Sequence, residues 1–321
     1  MPLIEYSAAF KPPLLHWNGH LQSILPALLR KIEVPYQRER LELPDGDFVD
    51  LDWLLGNNSD LVVLTHGLEG NSDRHYIKGM ARYFFNRRWD VLAWNCRSCS
   101  GEMNRNLRLY HHGEIEDIGQ VIDYALHKKP YQRVVMMGFS MGGAITLKYL
   151  GVKGKSVPEP IKAGIAFSTP CDLKESVRAL EWPSNRFYRK KFMQRLRKKI
   201  EAKAVDFPEQ IDLSYFDQME VWEDFDEAYS APLHGYPSAA AFYEDASAKN
   251  FMAEICVPTL LVNTINDPII PRPCTPVELC QKHPRIYLEQ PTLGGHVGFM
   301  WRGKSYAWSE HRAYQFVEAE L

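Results

Sequence analysis

The stretch that most constrains this chain is residues 134–144, Val134-Val-Met-Met-Gly138-Phe-Ser140-Met-Gly142-Gly-Ala144. A short apolar run, suited to a buried strand, passes through Gly-x-Ser-x-Gly straight into a helix-forming segment, residues 144–150. So sharp a strand-to-helix turn is sterically tight, and glycine is needed on both sides of Ser140, where a side chain would collide with neighbouring backbone. The turn lifts the Ser140 hydroxyl clear of the sheet and sets it at a helix N-terminus. There the backbone N–H groups and the helix dipole favour developing negative charge. A plain glycine-rich turn is the alternative against which the remaining residues are weighed.

Composition narrows the classes. The 321 residues, 45% hydrophobic and 24% charged, suffice for one large domain with an insertion or for two domains. A net charge of −2 gives no basis for a nucleic-acid partner or an acidic membrane surface. No apolar run approaches the ~20 residues of a membrane span. The opening Met1-Pro-Leu-Ile-Glu-Tyr6 lacks a basic segment followed by an apolar one, so no export signal is expected. Cysteines scattered at 96, 99, 171, 256, 274 and 280 need no disulfide framework, and a cytoplasmic location is the expectation.

Residues 1–40 read as an arm packed on the core. The segment from Phe10 is extended and becomes helical near His20, where Leu21, Ile24, Leu25, Leu28 and Leu29 recur at helical spacing, and Asn18-Gly19 argue against a regular helix spanning His16 and His20. His16 and His20 are four apart but have no third ligand nearby, so packing is expected there rather than metal. Residues 38–43 and 48–55 flank the turn Pro44-Asp-Gly-Asp47, and alternation in the second predicts a half-exposed antiparallel strand. Residues 61–65 form a doubly buried strand ending in His66-Gly-Leu68-Glu-Gly70. The N–H groups of Leu68 and Met141 could then converge on one point, as an oxyanion hole requires.

The strand–helix rhythm continues through helix 76–86, strand 90–94, helix 115–127, strand 133–137 and strand 161–167. Cys96-Arg-Ser-Cys99 has redox or zinc spacing, yet no second pair exists and it follows a strand, so loop packing is expected. His111-His112 are expected to be exposed or internally satisfied. Residues 173–250 break the rhythm. They are helical in pattern, aromatic and charged, and too long for a simple connection, which predicts a cap over the serine. The basic run 189–199 carries Phe192 and Leu196, with Ile200 beyond, at four-residue spacing, so it reads as the solvated face of an amphipathic helix rather than a nucleic-acid patch. The strand pattern then resumes over 251–321. Asp267 follows the run 258–263, and His296 sits in Gly294-Gly-His-Val after the last strand, 285–289.

Chain order is therefore Ser140, Asp267, His296, the nucleophile–acid–base order of α/β-hydrolases. A serine hydroxyl needs a base to take its proton, and an acid to hold that base in one tautomer. Asp172 is the main rival for the acid; Asp117, Asp123 and Asp245 are less well placed. The chain resembles the YheT-like α/β-hydrolases, carboxylesterases related to medium-chain ethyl-ester synthase/esterases and to ABHD-type lipid hydrolases. The likeness rests on Asn18-Gly-His-Leu-Gln-Ser23, His66-Gly-Leu-Glu-Gly70, Arg97-Ser-Cys-Ser-Gly-Glu102, the Ser140 turn, Phe225-Asp226, His234-Gly235 and Gly294-Gly-His296. Two departures stand out: Arg97-Ser98-Cys99 replaces the family's Arg-Gly-Cys, and Asn266-Asp267-Pro268 replaces its Asp-Asp-Pro. The resemblance implies a core over 41–172 and 251–321, hydrolysis of carboxylic esters through an acyl-serine, and no metal or organic cofactor. The aromatic cap suggests a small-molecule ester with an apolar acyl group, of short to medium length. The same residues could instead pass the acyl group to an alcohol or act on lipid esters or thioesters. A non-catalytic binding protein of this fold would predict a broken Ser-Asp-His set.

Overall fold

The apolar runs become one sheet. In the computed structural model, which describes residues 10–321, the strands are β1 (Gln37–Glu42), β2 (Phe48–Leu54), β3 (Asp60–Thr65), β4 (Asp90–Asn95), β5 (Arg133–Phe139), β6 (Ile161–Phe167), β7 (Thr259–Val262) and β8 (Ile286–Glu289). They pair in the order β1-β2-β4-β3-β5-β6-β7-β8. Strands β3 to β8 run parallel, and β2 is antiparallel to both β1 and β4. Helices α1 (Gly19–Leu29), α2 (His75–Phe85), α3 (Glu116–Lys128) and α4 (Met141–Lys153) precede the insertion. The insertion carries α5 (Leu173–Leu180), α6 (Arg186–Asp206), α7 (Trp222–Phe225), α8 (Ala231–Leu233) and α9 (Ala239–Ala246). Helices α10 (Val277–Lys282) and α11 (Trp308–Glu320) follow. The opening hexapeptide considered as an export signal lies outside the described residues.

The two-residue period of the strands sorts their side chains into two apolar layers. Leu61, Val63, Val134 and Met136 pack with Val121 of α3 and Ile145 of α4, and the insertion joins this layer. Val62, Leu64, Val135 and Met137 face Met80 of α2 and Phe316 of α11. Among the described residues no helix is long and apolar enough to cross a membrane.

Three expectations need correction. Strand β2 is buried along its whole length, not half exposed. Its polar alternates meet charge rather than water: Asp50 and Asp52 receive bidentate bonds from Arg40 and Arg38, and Asp52 also accepts from Ser72 and Asn95. The sheet begins at Gln37, inside the segment read as the arm. As expected, no regular helix spans His16 to His20: the Asn18 side chain accepts from the Leu21 amide at 2.8 Å, and Gly19 is the first helical residue. Finally, α1 turns Gly19, Gln22, Ser23 and Pro26 inward while Leu28 and Leu29 stay 65% and 70% exposed. The reason is close approach: a Cβ on Gly19 would lie 1.9 Å from the Asn266 carbonyl oxygen, so the helix docks by backbone proximity and polar bonds.

The arm is also fastened by charge. Arg30 meets the buried Glu310 of α11 at 2.6 Å, both against Gly79, where a Cβ would lie 2.0 Å from the Glu310 carboxylate. Burial pushes the Glu310 carboxyl pKa up, with Arg30 opposing. Replacing Arg30 by Met strands a buried carboxylate and should lower stability by about 3 kcal/mol. The double variant Arg30→Met/Glu310→Gln should recover more than half of that loss in urea unfolding.

Candidate active site

Strand β5 delivers Ser140 at a turn with no space to spare. A Cβ on Gly138 would lie 2.0 Å from the Gly142 carbonyl oxygen, and one on Gly142 would lie 2.3 Å from the carbonyl oxygen of Thr65 at the end of β3. Ser140 itself adopts φ 55°, a conformation L-residues avoid, fixed by its amide donating to the Phe167 carbonyl at 2.9 Å. Its hydroxyl lies 3.0 Å from His296 Nε2, and His296 Nδ1 lies 2.8 Å from Asp267 Oδ2. The other Asp267 oxygen accepts the amides of Ile269 and Ile270 at 2.9 and 3.1 Å. With the carboxylate ionised, Nδ1 carries the hydrogen of this pair and Nε2 presents its lone pair to Ser140.

The rival acids have other partners. Asp172 caps α5 and pairs with Lys249 at 2.5 Å. Asp117 takes the Arg97 guanidinium, and Asp245 takes Lys148 and Tyr236. Asp123 offers His127 only its backbone carbonyl.

Leu68 follows Gly67, whose Cβ, if present, would sit 3.0 Å from that of Ser140. The Leu68 amide has no hydrogen-bond acceptor among the described residues. The Met141 amide opens α4, so it has no partner within the helix. Both stand beside the serine. The next residue, Glu69, is a clamp that sequence reasoning missed. At φ 54° its amide donates to Tyr110 Oη at 2.9 Å, while its carboxylate accepts Tyr110 at 2.5 Å and meets Lys199 at 2.8 Å. Arg74 and Arg195 both donate to its carbonyl. The helical basic run is thus only partly solvated: Arg195 and Lys199, one turn apart on α6, face this loop.

The loop carrying His296 is held by the arm. Ser23 Oγ accepts the His296 amide at 2.8 Å, Gln22 Oε1 accepts the Gly294 amide at 2.6 Å, and Asn266 Oδ1 accepts the Gly295 amide at 3.1 Å. Asn266 also donates to Gln22 at 2.9 Å, so the residue before Asp267 serves the arm while Asp267 reaches the imidazole. The other family departure, Ser98, sits at φ 60°, where glycine would be unstrained, and its hydroxyl bonds Asn104 at 2.5 Å. The polar pair Gln22-Ser23 within an otherwise apolar helix was the available signal for these contacts.

Two cavities meet at Leu68, Ser140, Phe192, Ile269 and His296. The inner one runs under the insertion between Leu173, Val177, Leu180, Trp222, Phe225 and Phe242. The outer one opens between α1 and α6. His111 and His112 both line the inner cavity, and His111 is internally satisfied, its Nδ1 accepting the Gly113 amide at 3.2 Å. Burial holds them neutral, His112 with its pKa down to about 4. Asp226, in a π-turn on the same wall, is pushed up to about 6 by burial, although bonds from Ser230 and Tyr243 oppose this. Cys96 and Cys99 are buried and free, Cys99 lying 3.2 Å from Lys199, and burial raises both thiols. His16 and His20 are not grouped with further ligands; among the described residues no three His, Cys, Asp or Glu side chains are placed to share a metal ion.

This fold and site define the class. A family profile described as the alpha/beta hydrolase fold matches residues 60–303. The chain is 31% identical over 306 residues to YheT of Escherichia coli (strain K12), named provisionally as an esterase, covering 92% of this chain and 88% of that one. It is 26% identical to human Phospholipase ABHD3, over 97% of this chain and 78% of that one. It is 27% identical to the Medium-chain fatty acid ethyl ester synthase/esterase 2 of Saccharomyces cerevisiae (strain ATCC 204508 / S288c), over 75% and 58%. Among solved structures, the Pyrococcus furiosus esterase Pf2001 superposes with a TM-score of 0.58 at 16% identity, over 97% of this chain and all of that one, a likeness of fold. The chain belongs to the YheT-like branch of the α/β-hydrolases.

If the arm positions His296, then Ser23→Ala should lower kcat on p-nitrophenyl butyrate by about tenfold, since small misplacements of a reacting group are costly. The thermal midpoint should stay within a few degrees of the parent, and Ser23→Thr should restore most of the rate.

Proposed function

We propose that this carboxylic ester hydrolase cleaves short- to medium-chain acyl esters through an acyl-serine, with Ser140 as nucleophile, His296 as base and Asp267 as acid. The observation that carries the reading is the continuous chain from Asp267 Oδ2 through the imidazole to Ser140 Oγ, at 2.8 and 3.0 Å. Ser140 Oγ attacks the ester carbonyl carbon as His296 Nε2 takes its proton. The imidazolium formed is stabilised by Asp267, whose second oxygen is already saturated by two amides, so its orientation is fixed. The Leu68 and Met141 N–H groups stabilise the oxyanion, together contributing several kcal/mol on the scale of about 3 per donor. His296 then protonates the leaving alcohol, and water repeats the sequence on the acyl-serine.

The apolar walls of the inner cavity suit the acyl chain, and residues 173–250 act as its cap. The yeast relative's name pairs synthesis with hydrolysis. Capture of the acyl group by an alcohol is therefore the second outcome the site would support. Six free cysteines suit a reducing cytoplasm, the location we assign.

The test is a series of p-nitrophenyl acetate, butyrate and octanoate. All should be cleaved, with kcat/KM highest at butyrate or octanoate. Ser140→Ala should lose at least about 10⁴-fold in kcat, and Asp267→Asn about 10³- to 10⁴-fold. No cleavage of any member would refute the reading. Ethyl esters formed with ethanol present would assign acyl transfer.

A further inference from the structure

The outer cavity carries a charge pattern that cleavage of a neutral ester does not use. Arg74, Lys191 and Arg195 line it, and among the described residues no carboxylate does. Lys191 and Arg195 stand one turn apart on α6, and Arg74 caps the N-terminus of α2. By contrast, Arg38, Arg40, Arg97, Arg108 and Arg133 each hold one or more carboxylates. Among the described residues none of these three has a carboxylate within ion-pair distance. Lys191 makes no hydrogen bond and only lies over the Phe187 ring at 5.8 Å. Arg74 and Arg195 each give a single N–H to the Glu69 carbonyl, and the Glu69 carboxylate is occupied by Tyr110 and Lys199. Burial, then the charges of their cationic neighbours, pushes the pKa values of Lys191 and Arg195 down. His75, on the same wall, is held neutral by burial, its pKa down to about 3. Ile24, Ala27, Leu28 and Phe187 complete an apolar mouth.

We propose that the outer cavity takes the alcohol half of the substrate and that this half bears an anionic group, phosphate or carboxylate, held by Arg74, Lys191 and Arg195. The proposal rests on the Ser140 reading, which puts the acyl half in the inner cavity. The free guanidinium donors suit the paired oxygens of either anion, and the ammonium adds a mobile point charge. An anion relieves the repulsion among the three cations, which a neutral alcohol cannot do.

The experiment compares kcat/KM for 1-octanoylglycerol, 1-octanoylglycerol 3-phosphate and the octanoyl ester of glycerate. At low salt the charged esters should be preferred by about tenfold or more, and the preference should shrink in about 0.5 M NaCl. The two charged arms separate phosphate from carboxylate recognition. Exposed Lys191 allows a charge reversal with little risk to folding, and Lys191→Glu should cut the charged-to-neutral ratio by about tenfold or more. Equal rates on all three esters, or a ratio unmoved by Lys191→Glu, overturn the proposal and leave the Ser140 reading standing. If none is cleaved, the p-nitrophenyl ester series decides the Ser140 reading, and calorimetric titration with octyl phosphate decides the binding claim. Binding that octanol does not match and Lys191→Glu removes supports it; no binding overturns it.

Discussion

Everything at this site hangs on one close approach, that of helix α4 to the end of strand β3. With no Cβ on Gly142, the first turn of the helix comes within contact of the Thr65 and His66 carbonyls. The serine stands there at φ 55°, with the turn at Gly67 against its Cβ. The surrounding packing has to over-determine this geometry, because an unfavourable backbone conformation of this kind costs about 1–3 kcal/mol. Phe139 stacks on Phe167 at 5.3 Å and Phe167 meets Phe299 at 5.6 Å, so aromatic contacts run from the serine strand to the loop of His296.

The second constraint is that His296 stands on a loop whose hydrogen bonds come from far away in the chain. Gln22 and Ser23 lie more than 270 residues from the amides they accept. The arm is therefore part of what fixes the imidazole, and Arg30 with Glu310 fastens the arm to the last helix. On the other side of the serine, Tyr110 and Lys199 fix Glu69 and with it the Leu68 turn. Two loops far apart in sequence are thus held by side chains from still other parts of the chain.

The sheet and the Ser140, Asp267 and His296 positions were legible because each rests on local signals. Apolar runs mark doubly buried strands, and Gly-x-Ser-x-Gly or Gly-Gly-His marks a turn. What failed was long-range. The alternation of β2 promised one wet face, but Arg38 and Arg40 on the neighbouring strand cover Asp50 and Asp52. The apolar positions of α1 promised a buried stripe, but the helix docks through Gly19, Gln22 and Ser23. In each case the partner that decides the outcome is distant in sequence, and no periodicity within a segment encodes it.

The central claim is that Ser140 is an activated nucleophile beside donors for an oxyanion. A fluorophosphonate probe reports that state without any assumption about substrate. The account predicts stoichiometric labelling of the intact chain, located on Ser140 by peptide mass, and none in Ser140→Ala. A folded, monodisperse protein that takes up no label, or labels equally after the substitution, would contradict it.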